Sequence, residues 1–166
     1  ELGIHAIEEV AADARHEVDA ALVPIRQAIY SAHPLSGGYR VTLPNLNTRM
    51  SHDGRRPWQL AADLAACARD AWNLGAKPIL NRQLKELLGT TSDILGKPVA
   101  FQSKTPFAIR NSEGRTVDVY LQTKYSANRR FAIGRLIGDH LFFSGSERLL
   151  PLTNSSTVRQ KFQRAF

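Results

Sequence analysis

Only one cysteine, Cys67, occurs among the 166 residues of the chain. A single thiol excludes an intramolecular disulfide and any zinc module built on several cysteines. It lies in "LAADLAACARDAW", an alanine-rich helical pattern in which a small apolar residue reads as core. The usage fits a reducing cytoplasm. No apolar run approaches the roughly 20 residues that cross a bilayer, and no pattern of charged start, apolar run and cleavage site opens the chain. His5, His16, His33 and His52 lie far upstream of His140, and none stands at metal-ligand spacing from another. His33 and His52 fall in loop-like sequence and read as solvent-exposed. Acids are scarce where bases crowd: residues 124–166 hold eight Lys or Arg against two acids, whereas residues 1–20 hold six acids against one Arg.

What is present is the composition of an ordinary globular domain, 43% apolar and 22% charged, at a length suited to one core. The net charge of +7 and its asymmetry can steer a domain toward nucleic acid or an acidic partner. Arg129, Arg130, Arg159, Lys161 and Arg164 form the candidate binding patch. RNA-motif aromatics and zinc-finger spacings are lacking. The chain opens at Glu1 without methionine and closes at Phe166 inside "TVRQKFQRAF", a helical pattern with no stop signal, so a fragment of a longer protein is expected.

Ile4, Ile7, Ala11, Ala14, Val18, Ala21, Ile25 and Ile29 recur at spacings of three and four, which predicts one long amphipathic helix over residues 1–32. Pro24 should kink or break it near Val23. Residues 33–56, rich in Pro, Gly, Ser and Asn, read as a linker loop, leaving the helix as a semi-detached connector. A helix is expected from Pro57 to Leu74, with Trp58 and Trp72 as core anchors, and a shorter one in "NRQLKELLG" capped by Asn81. "PVAFQSKTPFAIR", the turn "NSEG" and "RTVDVYLQT" predict a hairpin with one buried face. Pro106 marks its first strand as an edge or as broken. A further helix, capped by Ser126 or Asn128, carries "RRFAIGRLIGDHLFF".

That helix resembles the active helix of the ImmA/IrrE-type zincin metallopeptidases, which reads R-R-F-x-x-A-H-E-x-G-H. "RRFAIGRLIGD" lies on it without a gap, and "QKFQRAF" lies on the family's second motif, E-x-x-A-N-x-F-A-A. The resemblance covers roughly residues 56–166. It implies an α+β, zincin-like fold over residues 57–166, helices packed on a small β-sheet or hairpin, truncated at its C-terminal helix. In the family pattern, two histidines four apart clasp Zn²⁺ and the intervening glutamate acts as base on the metal-bound water. Here the histidine positions hold Arg135 and Asp139, the glutamate position holds Leu136, and the third ligand position holds Gln160. His140 is one residue past the ligand position, about 100° around the helix.

The expected site is therefore vestigial, with no catalytic residue and no zinc although the family carries it. Arg135, Asp139 and Gln160 are expected to form a polar plug in place of the ion. The resemblance implies a non-catalytic sensing or protein-binding module of a bacterial transcriptional regulator. Its partner would be a protein or peptide docked on the hairpin's edge strand, or nucleic acid reached through an upstream helix-turn-helix domain. Two alternatives stay open: a metallo-endopeptidase with unconventional ligands, and nucleic-acid binding through the basic C-terminal third.

Overall fold

A computed structural model describes residues 3–14, 17–47, 54–96, 105–111, 116–121, 123–143 and 147–166. Among these the chain is α+β, with six helices around a four-stranded antiparallel sheet. Two helices, α1 (Ile4–Ala14) and α2 (Val18–Tyr30), open the fold in place of the single long one expected. The break falls near Glu17, whose N–H turns back to the Ala14 carbonyl at 3.0 Å. Pro24 sits inside α2, buried. It removes one ladder bond, but Ile25 and Ala28 beside it are packed in the core and hold the helix through it.

The sheet follows the order β1-β3-β2-β4, with β1 (Gly38–Thr42), β2 (Phe107–Arg110), β3 (Thr116–Tyr120) and β4 (Leu149–Pro151). Residues 33–56 are thus not simply a linker, because β1 pairs with β3 from Gly38↔Tyr120 to Thr42↔Thr116. Tyr39 and Val41 alternate onto one face, where they join the core. β2 is interior, bonded to both β3 and β4. Pro106 precedes it, where a missing N–H breaks no ladder bond, and its carbonyl accepts from Leu152 N–H at 3.0 Å. Among the described residues the edge strands are β1 and β4, and β1 gives its Thr42 N–H to the Leu88 carbonyl at 2.9 Å. Of the turn "NSEG" and the start of the first strand-like run, residues 112–114 and 98–104 lie outside the described residues.

Both faces of the hairpin are covered, not one. Ala108, Val117, Val119 and Leu150 meet Ile133, Leu136 and Ile137 of α5 (Ser126–Phe142) and Leu84 of α4 (Asn81–Leu87). On the other face Phe107, Ile109, Tyr120 and Leu149 meet Ala6 and Val10 of α1 and Ile25 and Ala28 of α2. The first helices therefore belong to the core. Burying a side chain such as Leu136 contributes about 2 kcal/mol. A third layer, α3 (Pro57–Ala71) with α6 (Val158–Ala165), packs through Leu60, Ala61, Leu64 and Phe162.

Several local expectations shift. Trp58 is 46% exposed, with the Arg56 guanidinium 5.2 Å from its ring, and only Trp72 packs against the core. Cys67 is half-buried. α4 starts after Leu80, whose N–H is accepted by the Gln83 side chain at 2.8 Å, so Asn81 is not the cap. Tyr125 precedes α5, and neither Ser126 nor Asn128 caps it. Gly89 adopts φ 55°, the left-handed state that closes α4. No helix among the described residues is long and apolar enough to cross a membrane.

Candidate functional site

Helix α5 carries an unusual load for a helix pressed on a sheet: Arg129, Arg135, Asp139 and His140 are all buried. Polar groups survive there only when bonded, and helix α6 supplies the partners. Thr157 caps α6, its hydroxyl accepting from Gln160 N–H at 3.2 Å. That cap aims Arg159, Gln160 and Gln163 at α5, and all three are buried.

Asp139, 0% exposed, is gripped by the Arg159 fork, Nε and Nη2 each donating at 2.6 Å. Gln163 Nε2 donates to the same carboxylate at 2.9 Å, and Arg159 Nη1 reaches Glu147 at 2.7 Å. Burial alone would pull the Arg159 proton affinity down. Its bonds to Asp139 and Glu147 more than reverse this, so it lies above ordinary arginine.

Arg135 lies apart from this ion pair. Its Nη2 donates to the Thr153 carbonyl at 2.5 Å, to Gln163 Oε1 at 3.1 Å and to Gln160 Oε1. Gln160 in turn donates to Glu9 of α1, which also accepts from Thr157 Oγ1 at 2.5 Å. Burial first, then repulsion from Arg164, lowers Arg135 to about 10, against the opposing pull of Asp139, Glu9 and Asp13. The guanidinium still holds its charge at neutral pH.

The expected plug of Arg135, Asp139 and Gln160 is therefore met in part. Arg135 and Gln160 bond directly, whereas Asp139 pairs with Arg159, which sequence spacing along one helix could not indicate. Leu136 is a core residue at 0% exposure. His140 accepts from Arg110 Nη1 at Nδ1, 3.1 Å away. Arginine only donates, so the ring proton sits on Nε2 and points at Asn45 Oδ1, 3.3 Å away. Burial, then the Arg110 charge, lowers His140 to about 4 although Asp139 opposes them, so the ring is neutral.

The candidate basic patch does not form one surface. Arg129 is 0% exposed and donates to the carbonyls of Ile94 at 2.8 Å, Thr123 at 2.9 Å and Leu121 at 3.4 Å. Arg159 is consumed by its carboxylates. Arg130 ties α5 to Asn81 and the Ile79 carbonyl at the start of α4. Only Lys161 and Arg164 of the five are exposed. The donors of Arg129 and Arg159 are taken up inside the fold, by backbone carbonyls and by the Asp139 and Glu147 carboxylates.

Zinc does not fit these residues. A fixed cation stands at the first ligand position, Leu136 offers no donor, and the oxygens of Asp139 and Gln160 are already held by Arg159 and Arg135. Among the described residues no three His, Cys, Asp or Glu side chains gather as a metal site would need. His16 and His52 lie outside the described residues; His5 bonds Glu8 on the surface, and His33 is exposed. No known protein family, curated protein or solved structure significantly matches the chain.

Two concavities flank the network. A cavity of about 880 Å³ opens between α1 and α6, walled by Glu8, Glu9, Phe142, Phe143 and Glu147. A groove of about 400 Å³ lies along the first half of α5, with Arg135 in its wall.

Proposed function

We propose that the chain is a non-catalytic, zincin-like recognition module of a bacterial transcriptional regulator, binding a protein or peptide without cutting it. One observation carries the reading: at the four positions of the zinc motif Leu136 is packed in the core, Arg135 and Gln160 bond each other, and Asp139 is held by Arg159 and Gln163 of α6. Asp139, the residue with metal-ligand chemistry, gives its carboxylate to Arg159 and Gln163. An ion would have to break a buried, charge-assisted fork to reach it. The family resemblance supports the fold far better than any activity.

Strand addition moves from the hairpin's first strand, which is interior, to the edge strands β1 and β4. Nucleic-acid binding by this chain itself is weakened, because two of the five patch cations, Arg129 and Arg159, are buried. Contact with DNA through an upstream helix-turn-helix domain belongs to the same proposal.

The test is metal analysis of the purified protein, with a peptide-cleavage assay on wild type and Asp139→Ala. The proposal expects no stoichiometric zinc and no cleavage in either. Zinc at one equivalent, lost together with cleavage in Asp139→Ala, would establish the metallo-endopeptidase instead. Duplex DNA binding by the chain that falls steeply with salt would establish the nucleic-acid reading.

A further inference from the structure

Arg135 is a buried cation whose hydrogen-bonding partners are all neutral. Its acceptors are a backbone carbonyl and two amide oxygens, all on Nη2, and its Nε has no acceptor among the described residues. The nearby carboxylates are engaged elsewhere: Asp139 by Arg159 and Gln163, Glu9 by Gln160 and Thr157, Asp13 by Thr105 and the Asn154 N–H. They act on Arg135 only through space. A guanidinium at 5% exposure needs its donors satisfied, and a carboxylate is a strong acceptor for them.

The groove beside it supplies the place. Pro106, Leu121 and Leu152 from the strand ends face Phe131 and Ala132 of α5, so its walls are mainly apolar. Phe131, 52% exposed, holds its ring 5.8 Å from the Arg135 guanidinium. Its volume is that of a site for a small molecule or a terminal side chain.

We infer that this groove binds a carboxylate carried on a small apolar or aromatic body, its oxygens on Arg135 and its body against Leu121, Leu152 and Phe131. The free Nε–H is itself shielded from solvent, so a ligand reaches it only when neighbouring side chains move. A single cation with one unengaged N–H matches a carboxylate monoanion better than a phosphate dianion, which calls for more donors. The source is either a free carboxylic acid or the C-terminus of a peptide. The inference deepens the recognition reading and rests on it only for the peptide source. Zinc-dependent cleavage would sink that reading, whereas loss of carboxylate binding alone would sink only this one.

The probes are 3-phenylpropanoate, its amide, and Ala-Ala-Phe with a free or amidated C-terminus. They are titrated into ¹⁵N-labelled protein while the arginine Nε–H signals are followed. The acids should move the Arg135 signal, assigned from its loss in Arg135→Gln, and bind at least about tenfold tighter than the amides. Asn128→Trp, an exposed position on the groove, should abolish binding while leaving the spectrum of a folded protein. That variant keeps the test valid if Arg135→Gln fails to fold. Tighter binding of the free-acid peptide would assign the peptide as source; binding of 3-phenylpropanoate alone would assign the small acid. Equal binding of acid and amide, or no movement of any arginine Nε–H signal through about 20 mM ligand, beyond the millimolar range reached by weak fragments, would overturn the inference.

Discussion

Replacing Arg159 with methionine tests whether the fork on Asp139 sustains the core of the site. Methionine keeps much of the apolar stem and removes the guanidinium. Asp139 would then stand at 0% exposure with a single remaining side-chain donor, Gln163, at 2.9 Å. An uncompensated buried charge costs about 3–5 kcal/mol. With a urea dependence of ~2 kcal/mol per molar, that is a midpoint lower by ~1.5–2.5 M. Glu147 also loses a partner, but its side chain is 22% exposed and rehydrates. The companion is the double variant Asp139→Leu with Arg159→Met, in which no charge is stranded. Its midpoint should return to within ~1 kcal/mol of wild type, since apolar replacement of a buried ion pair is often neutral. The double-mutant cycle then yields a coupling above ~2 kcal/mol. A loss under ~1 kcal/mol in Arg159→Met, or a double variant no more stable than the single, would refute the account of a pair whose value lies in mutual compensation.

The buried imidazole gives a pH signature. His140 sits near 4 in the fold against an ordinary 6.5, so between those values the unfolded chain binds more protons than the native one. The stabilisation is complete above the unfolded value and declines as pH falls, by ~2 kcal/mol between about pH 7.5 and 5. Urea midpoints across that range should show the decline, and His140→Gln should flatten it; an equal slope in both proteins would refute the assignment. Arg129→Lys should cost ~2 kcal/mol, because one ammonium cannot reproduce a planar fork across three carbonyls. A thermal midpoint unchanged within error would show that those carbonyls find other donors. Stoichiometric zinc after metal supplementation is expected in neither wild type nor Asp139→Ala, as read by elemental analysis.

Legibility in the sequence followed the reach of each interaction. The β3 alternation and the α5 stripe were readable because a single element's periodicity reports its own buried face. β1 was hidden, because "GYRVT" stands among glycines and prolines and its strand character comes from pairing with β3, 78 residues away at Arg40 and Asp118. The N-terminal stripe was real but continuous only on paper. Ala6, Glu9 and Val10 face inward while Ile4 is 74% exposed, and the turn near Glu17 lets two helices lie on the sheet. Interior β2 was misread for a local reason too. Pro106 suggested an edge or a broken strand; the strand is interior but begins at Phe107, just past the proline.

The site shows why a charge count along the chain misleads about partners. The acids at the start and the bases at the end read as an electrostatic dipole available to another molecule. In the fold, Glu9 and Asp13 of α1 close onto α6 and the Thr153–Thr157 segment, while Arg159 and Arg129 go inside. Much of the basic third is internal bonding capacity, spent on carboxylates and carbonyls that no histidine or glutamate at the motif positions would have served. Arg135, like Arg110, is charged and buried with an N–H that has no acceptor among the described residues, and it stands in the wall of a groove. Its Nε–H thus leaves an open demand for an acceptor, which an anion would satisfy. A carboxylate seated in the adjoining groove would meet that demand.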